Sequence, residues 1–501
     1  MQDATVGTVI STPIDPTTSR FSFVINSSKV KKGQFVQTMT EEGIMLGVIS
    51  EIFRANRYFE QPESVAEYEK ISSMSLQFPT FAWEYNVASV KSLGIFCEGK
   101  VMRNAFPPAP GSKVEMVDEE ILKKFLGFRD DGLNLGKLQN HDLDVKIGMG
   151  RLLQKHLSIL AMSGAGKSYL CSVLIEEMLE RKMELGRIGI VVIDPHGEYS
   201  VFKNTEYRNQ VQVFEGKKIK ISLKKVSPQQ LFEWMPNLSP AQKREAATIL
   251  KCIQREMRDK GESFGLEDLV KKIETSELRD NVRNALLSWF WELATLKVIG
   301  RADLPNIREL AKPGILSIID LSDIDSLRRK QVIVSYFGKK LFAQRKKNAI
   351  PPFVLIVEEA HNFAPEKVQK EAAISKNVIE TFAREGRKFG ACICLVSQRP
   401  VRLSTTALSQ CNTNIILKIT NPFDLKHVAE SCEGIDANTQ SAITTLGVGE
   451  ALIIGEAVNY PVFIKVRKKR AETKTQEELE SLAVMFEKEE EKKGKDVDAF
   501  I

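Results

Sequence analysis

The stretch Ala161–Ser168, read A-M-S-G-A-G-K-S, separates a short apolar run, Leu157–Leu160, from a segment with apolar residues at Leu170, Val173, Leu174 and Met178. That spacing predicts an amphipathic helix. A strand, a Gly-rich turn and a helix in this order form the context of a phosphate-binding loop. Backbone N–H groups around Gly164 and Gly166 then point at phosphate oxygens, at the positive end of the helix dipole. On this reading Ser163, Gly164, Ala165, Gly166, Lys167, Ser168 and Tyr169 make up the ATP-binding stretch. Lys167 reaches the β- and γ-phosphates, and the Ser168 hydroxyl coordinates Mg²⁺. Ala161 occupies the position where the pattern expects its first glycine; that position serves the turn, and a small residue can replace it.

A phosphate loop needs a neighbouring strand that ends in acid. Phe353–Val357 followed by Glu358-Glu359-Ala360-His361 supplies one. Glu358, at the strand end, is the expected Mg²⁺ carboxylate, acting through the ion's water shell. Glu359 is the expected general base for the attacking water. A further apolar run ends in Val396-Ser397-Gln398-Arg399-Pro400. Gln398, at its tip, is the candidate for hydrogen bonding the γ-phosphate or the water. Between these runs lies F-A-R-E-G-R-K-F-G, residues 382–390. Arg384, and after it Arg387, is placed to reach a neighbouring subunit's nucleotide rather than its own. An arginine finger of this kind raises turnover by about 10³ to 10⁵ because it neutralises transition-state charge. A surface ion pair on the helix is the other reading of either arginine.

Residues 1–120 read as many short strands with Gly, Pro, Asn and Ser punctuation, which suggests a small barrel closed by Pro107-Pro108-Ala109-Pro110-Gly111. From about 135 the pattern changes to alternating strands and helices. Runs such as Ile188–Ile193, Ile315–Ile319, Phe353–Val357 and Ala391–Val396 are predominantly apolar, as strands buried on both faces of a largely parallel sheet must be. Strand signals vanish over 227–310. Ser227-Pro228-Gln229-Gln230 and Ser239-Pro240-Ala241-Gln242 each place Ser, Pro and Gln at the cap, first and third positions of a helix. This region reads as a helical subdomain inserted into the core, with Trp289, Phe290 and Trp291 as its core. The expected fold is therefore α/β: a P-loop core split into 121–226 and 311–466, with an N-terminal barrel and an inserted helical subdomain. Residues 467–501 read as a charged helical tail. Its opening quartet Arg467-Lys468-Lys469-Arg470 suits DNA phosphates, an acidic neighbour, or a solvated helix start.

A net charge of +6, from 71 basic and 65 acidic residues, permits nucleic-acid binding without requiring it. No apolar run approaches the roughly 18 residues of a membrane span, and no secretory signal opens the chain, so a cytoplasmic location is expected. Seven cysteines without a framework read as reduced thiols; Cys392 and Cys394 sit inside an apolar run and read as strand residues.

Several strings together resemble the HerA branch of the HerA/FtsK superfamily. They are K-H-L-S-I-L at 155–160, I-D-P-H-G-E-Y at 193–199, E-E-A-H-N-F at 358–363, F-A-R-E-G-R-K-F-G, L-V-S-Q-R-P at 395–400 and S-Q-C-N at 409–412. The resemblance implies a RecA-like ATPase core with a HAS-barrel-like N-terminal domain. It further implies a ring-shaped, usually hexameric, ATP- and Mg²⁺-dependent translocase on double-stranded DNA. Archaeal relatives work with the NurA nuclease in DNA end resection and break repair. Carried over by position, Lys167 and Ser168 bind nucleotide, Glu359 is catalytic, Arg384 acts in trans and Gln398 is the sensor. Lys155 stands where relatives often carry an arginine that contacts phosphate in cis; lysine keeps the charge and loses the bidentate fork. Glu358 replaces the commoner Asp. Asp194 and Glu198 are expected near the site, and Tyr460 beside the adenine. Lys367, Lys370 and Arg402, in loops after the two acid- and glutamine-bearing strands, are the candidates for gripping DNA phosphates in a central channel. The N-terminal barrel is the expected nuclease-docking unit. Two other classes remain: an ATP-dependent clamp or scaffold that recruits a nuclease without translocating, and a membrane-associated pump, which the missing membrane segment disfavours.

Overall fold

A computed structural model describes residues 5–471, except 13, 57–58, 60–64, 66–83, 98–99 and 369–372, together with 483–484 and 486–487. The first unit is antiparallel throughout. Strands β1 (Thr5–Ile10), β2 (Arg20–Ile25), β3 (Phe35–Thr40), β4 (Gly43–Asn56), β5 (Glu84–Cys97), β6 (Lys100–Met102) and β7 (Lys113–Met116) form one sheet in the order β2-β1-β7-β3-β4-β5-β6. A further pairing of β2 with β5 closes six of them into a barrel and leaves β6 appended to β5. Closure removes the open edges that a short antiparallel sheet would otherwise expose. Phe21, Phe23, Val36, Met45 and Val90 fill the interior.

The second unit is built on an eleven-stranded sheet. Its strands are β8 (Leu133–Leu138), β9 (Asp144–Ile147), β10 (Leu157–Leu160), β11 (Gly189–Asp194), β12 (Val211–Glu215), β15 (Leu316–Asp320), β16 (Phe353–Val357), β17 (Ala391–Ser397), β18 (Thr413–Ile416), β19 (Glu450–Gly455) and β20 (Val462–Val466). The order is β12-β15-β11-β16-β17-β10-β18-β19-β20-β8-β9. From β12 to β18 every pairing is parallel; from β18 onward every pairing is antiparallel. Alternate residues of the parallel strands enter two different cores. Val191, Ile193, Leu355, Val357 and Leu395 face one, while Ile190, Val192, Val354, Ile356, Cys394 and Val396 face the other. Burial on both faces is why these strands read as unbroken apolar runs. Cys392 and Cys394 share the second face, and all seven cysteines are free.

The first core also receives helices between Pro228 and Thr295. Ser227 accepts the Gln230 N–H, and Ser239 with Gln242 forms a reciprocal capping box. A two-residue parallel pair, β13 (Ile221–Ser222) with β14 (Ile299–Gly300), ties the ends of this helical segment together. Phe290 is fully buried and Trp289 packs beside it, whereas Trp291 is exposed, so one of the three aromatics lies outside the core.

Barrel and sheet share a core through Phe35 and Leu46. The Phe35 N–H donates to His141 Nε2 at 3.0 Å, and Gln34 Nε2 donates to the Asn140 carbonyl at 3.1 Å. Most of the expected charged tail lies outside the described residues. Its first part is an extended strap rather than a helix: Arg467 pairs with Glu176 and Glu177, and Arg470 with Glu177 and Glu180. The basic quartet meets an acidic neighbour within its own chain. No helix among the described residues is long and apolar enough to cross a membrane.

Candidate active site

Strand β10 ends in the phosphate loop, and the helix Lys167–Leu179 leaves it. Gly164 and Gly166 hold φ of 77° and 97°, a left-handed backbone that disfavours any side chain. Open space surrounds the Gly164 Cα, so ligand oxygens can approach the backbone there. Ala161 carries no such strain. It continues the strand, fully buried, and its N–H donates to the Ser397 carbonyl at 3.2 Å. The first glycine of the pattern is dispensable here because the turn begins only after Met162, whose N–H is held by the Lys418 carbonyl. No side chain caps the first turn of the loop helix, which leaves its N–H groups for an anion.

β16 runs parallel to β17, and β17 pairs with β10, so the ends of β16 and β17 converge on the loop. Lys167 is 6% exposed at its side chain and lies 2.7 Å from Glu358 Oε2 and 3.0 Å from Glu359 Oε1. Burial pulls the Lys167 ammonium down, but the two carboxylates outweigh it and its pKa rises above the ordinary lysine value. Gln398 Nε2 donates to Glu359 Oε1 at 2.6 Å. Glu359 itself sits at φ 49°, ψ 45°, a left-handed conformation that costs a non-glycine residue about 1–3 kcal/mol and concentrates at functional sites. The turn that imposes this conformation aims its carboxylate back at Lys167.

Three side chains in the quoted strings, not singled out by the sequence reading, complete this cluster. The Tyr199 hydroxyl, fully buried, donates to Glu358 Oε1. His361 Nδ1 lies 3.2 Å from Glu359 Oε2 and 3.1 Å from Ser397 Oγ. Their presence within I-D-P-H-G-E-Y, E-E-A-H-N-F and L-V-S-Q-R-P was the available signal. Asp194 explains the first string. Its buried carboxylate accepts N–H groups from His196, Gly197, Glu198 and Tyr199, which folds the turn that delivers Tyr199. Burial raises the Asp194 carboxyl to about 6 in spite of these donors. The Glu198 side chain points to solvent and contributes only its N–H.

The remaining expectations divide by sheet edge. Lys155 precedes β10, so it lies at the edge opposite its own phosphate loop, paired with Glu456. A cis phosphate contact from Lys155 is therefore corrected, because the length of β10 separates it from the loop. Tyr460 occupies the turn after β19 at that same far edge, its ring edge-on to Phe35 at 6.1 Å between centroids. Adenine contact by Tyr460 is corrected on the same ground; it packs the barrel against the sheet. Tyr169, by contrast, stays at the loop helix, and its hydroxyl accepts the Lys469 N–H at 2.8 Å. Arg384 and Arg387 also lie at the far edge, before β17, and both are exposed. β17 spans about 20 Å at roughly 3.3 Å per residue, so neither arginine reaches its own nucleotide loop. Arg384 makes only a 3.8 Å contact with Glu380. Lys367 and Arg402 are exposed in loops after β16 and β17; Lys370 lies outside the described residues.

The donor set suits Mg²⁺. Ser168 offers a hydroxyl at the loop helix, Glu358 and Glu359 offer carboxylates, and hard oxygen ligands with no thiolate match that ion. Both Glu358 oxygens are taken, by Lys167 and Tyr199, which favours coordination through water.

Residues 133–341 match the helicase HerA central domain. A probable helicase of Methanocaldococcus jannaschii is 29% identical over 463 residues, covering 87% of this chain and 86% of the relative. The DNA double-strand break repair helicase HerA of Pyrococcus furiosus is 27% identical over 512 residues, covering 89% of each. Among solved structures, VirB4 of Thermoanaerobacter pseudethanolicus superposes with a TM-score of 0.55 at 14% identity, covering 68% of this chain and 97% of that one, a likeness of fold. A P-loop core preceded by a closed barrel, with a HerA central-domain match inside the core and relatives of this kind along most of its length, makes this chain similar to HerA helicases from the barrel through the core.

Proposed function

We propose that this chain is an ATP-dependent double-stranded DNA translocase that works as a ring, hexameric in the manner its family resemblance implies, with a NurA-type nuclease in DNA end resection and break repair. The observation that carries the reading is the buried bridge from Lys167 to Glu358 and Glu359, with Gln398 on the same Glu359 oxygen. A buried ammonium between two carboxylates holds the cluster together until a nucleotide's phosphates compete for Lys167. Freed of that contact, Glu359 accepts a proton from the attacking water, and Gln398 orients that water or the γ-phosphate. Bound Mg²⁺ would supply charge neutralisation at the phosphates, held by Ser168 and, through water, Glu358. Arg384 stands exposed at the opposite sheet edge, which supports a role at a neighbouring subunit's nucleotide. Lys367 and Arg402 are exposed and bring positive charge suited to phosphates.

The test is ATP turnover with and without duplex DNA, together with displacement of a protein roadblock from duplex DNA. DNA-stimulated turnover with displacement is the expected result. DNA binding with neither would favour the clamp that recruits a nuclease without moving.

A further inference from the structure

Behind the active-site cluster lies a cavity of about 660 Å³, lined by His361, Gln331, Lys367, Arg402, Thr405 and His427 among others. His361 thus forms a wall between Glu359 and this cavity. The loops that bound it are zipped together. The Glu366 N–H donates to the Arg402 carbonyl at 2.8 Å, Pro365 bridges Leu403, and the Glu366 carboxylate accepts both the N–H and the hydroxyl of Thr405. Residues 364–368 and 399–405 are therefore joined to one another through both backbone and side chains. These loops are joined to the cluster at two points: the short helix Ala360–Phe363, which carries His361, and Ser397, whose Oγ accepts the Arg399 N–H at 3.1 Å. His361 Nδ1 spans both, at 3.2 Å from Glu359 Oε2 and 3.1 Å from Ser397 Oγ, with its side chain 11% exposed. A nitrogen lone pair facing a carboxylate at that distance is repulsive. The proton therefore sits on Nδ1, donated toward Glu359 and Ser397.

We propose that His361 is a positioning residue that couples these paired loops to Glu359, so that a polyanion held by Lys367 and Arg402 alters the aim of the Glu359 carboxylate and with it turnover. This rests on the reading of Glu359 as general base and of duplex DNA as the polyanion. Displacement of the zipped loops shifts Ser397 and His361 together, and the shared Nδ1–H carries that shift to Glu359. His361 faces Glu359 Oε2, whereas Lys167 of the phosphate loop holds Oε1, so the coupling is read in kcat rather than in nucleotide affinity.

The experiment compares the full-length wild type, His361→Ala and His361→Asn, measuring ATP turnover with and without duplex DNA and affinity for a non-hydrolysable analogue. In His361→Ala the ratio of stimulated to basal turnover is expected to fall to about one through kcat, with analogue affinity within about twofold of wild type. His361→Asn places an amide N–H where Nδ1–H stood, and is expected to keep most of the stimulation. A merely space-filling role would not separate donor from non-donor in this way. Should His361→Ala not fold, His361→Gln fills similar space with its amide displaced from the Nδ1 position, and is expected to lose stimulation. Full stimulation in the alanine or glutamine variant overturns the proposal, as does asparagine behaving no better than alanine. A wild type that hydrolyses ATP without any response to DNA overturns the DNA-coupled reading itself, a different failure that appears before any variant is made.

Discussion

Lys167 does two incompatible things, and the contacts of the cluster show how. It neutralises two buried carboxylates, and on the proposed reading the same ammonium serves the phosphates of a bound nucleotide. Lys167→Ala is therefore expected to abolish hydrolysis and also to destabilise the nucleotide-free protein. Removing one partner of a buried ion cluster costs about 3–5 kcal/mol, because the other charges are left uncompensated. Thermal unfolding without nucleotide checks this: an unchanged midpoint would contradict the buried bridge. Glu359→Gln is expected to bind ATP without turning it over, whereas normal steady-state turnover would sink the assignment of the base. Tyr199→Phe removes the donor to Glu358 Oε1 and is expected to cost about 1–3 kcal/mol, read in denaturant unfolding. At this scale the loop, Glu358, Glu359 and Gln398 were legible because each follows an apolar strand. Tyr199 and His361 were not, since their roles depend on turns that no periodicity reports. The Asp194 carboxylate folds one such turn, and the left-handed Glu359 shapes the other.

Among the elements, the strap at residues 467–471 is bound to the back of the phosphate-loop helix. Glu176, fully buried, receives Arg467 and the N–H groups of Arg470 and Ala471. Arg467→Ala strands that carboxylate and is expected to destabilise the fold by about 3–5 kcal/mol. Loss of less than about 1 kcal/mol, the size of an exposed pair, would show the strap to be peripheral. The join between barrel and sheet is acid-sensitive. Burial pushes His141 down from 6.5 to about 4, and its Nε2 must stay unprotonated to accept the Phe35 N–H. The unfolded chain takes up this proton below about 6.5 and the folded chain only near 4. The stabilisation is therefore complete above about 6.5 and is lost as pH falls toward 4. The unfolding midpoint is expected to fall between pH 7 and pH 5, and less steeply in His141→Gln. The parallel strands of the core were readable as apolar runs, and the helix starts at Ser227 and Ser239 from their capping residues. The antiparallel wing β8, β9, β19 and β20 was not, because its strands are short and mix charged residues with apolar ones, as in Leu133–Leu138.

In the whole molecule, the two sheet edges separate the two halves of the proposed chemistry. The phosphate loop, Glu358, Glu359 and Gln398 gather at one edge; Lys155, Arg384 and Arg387 line the other. A monomer does not bring Arg384 to its own loop, which is why the proposed reading assigns it to a neighbouring copy in a closed ring. The α/β core with its closed barrel was legible from the change of pattern near residue 135. The edge assignment of Lys155 and Tyr460 was not, because sequence position says nothing of which end of a strand faces the nucleotide until the sheet order is known. Deletion of residues 1–120 is expected to abolish nuclease binding and to spare turnover per assembled ring, although it uncovers Tyr460, which packs on Phe35. Retained nuclease binding would place docking elsewhere.

The shared-site claim is tested most directly by mixing Lys167→Ala and Arg384→Ala subunits, each inactive alone, and measuring ATP turnover on duplex DNA after reassembly. At interfaces that join an intact phosphate loop to an intact Arg384, turnover is expected to return. Turnover in Arg384→Ala alone, or none in co-assembled mixtures, would contradict the account.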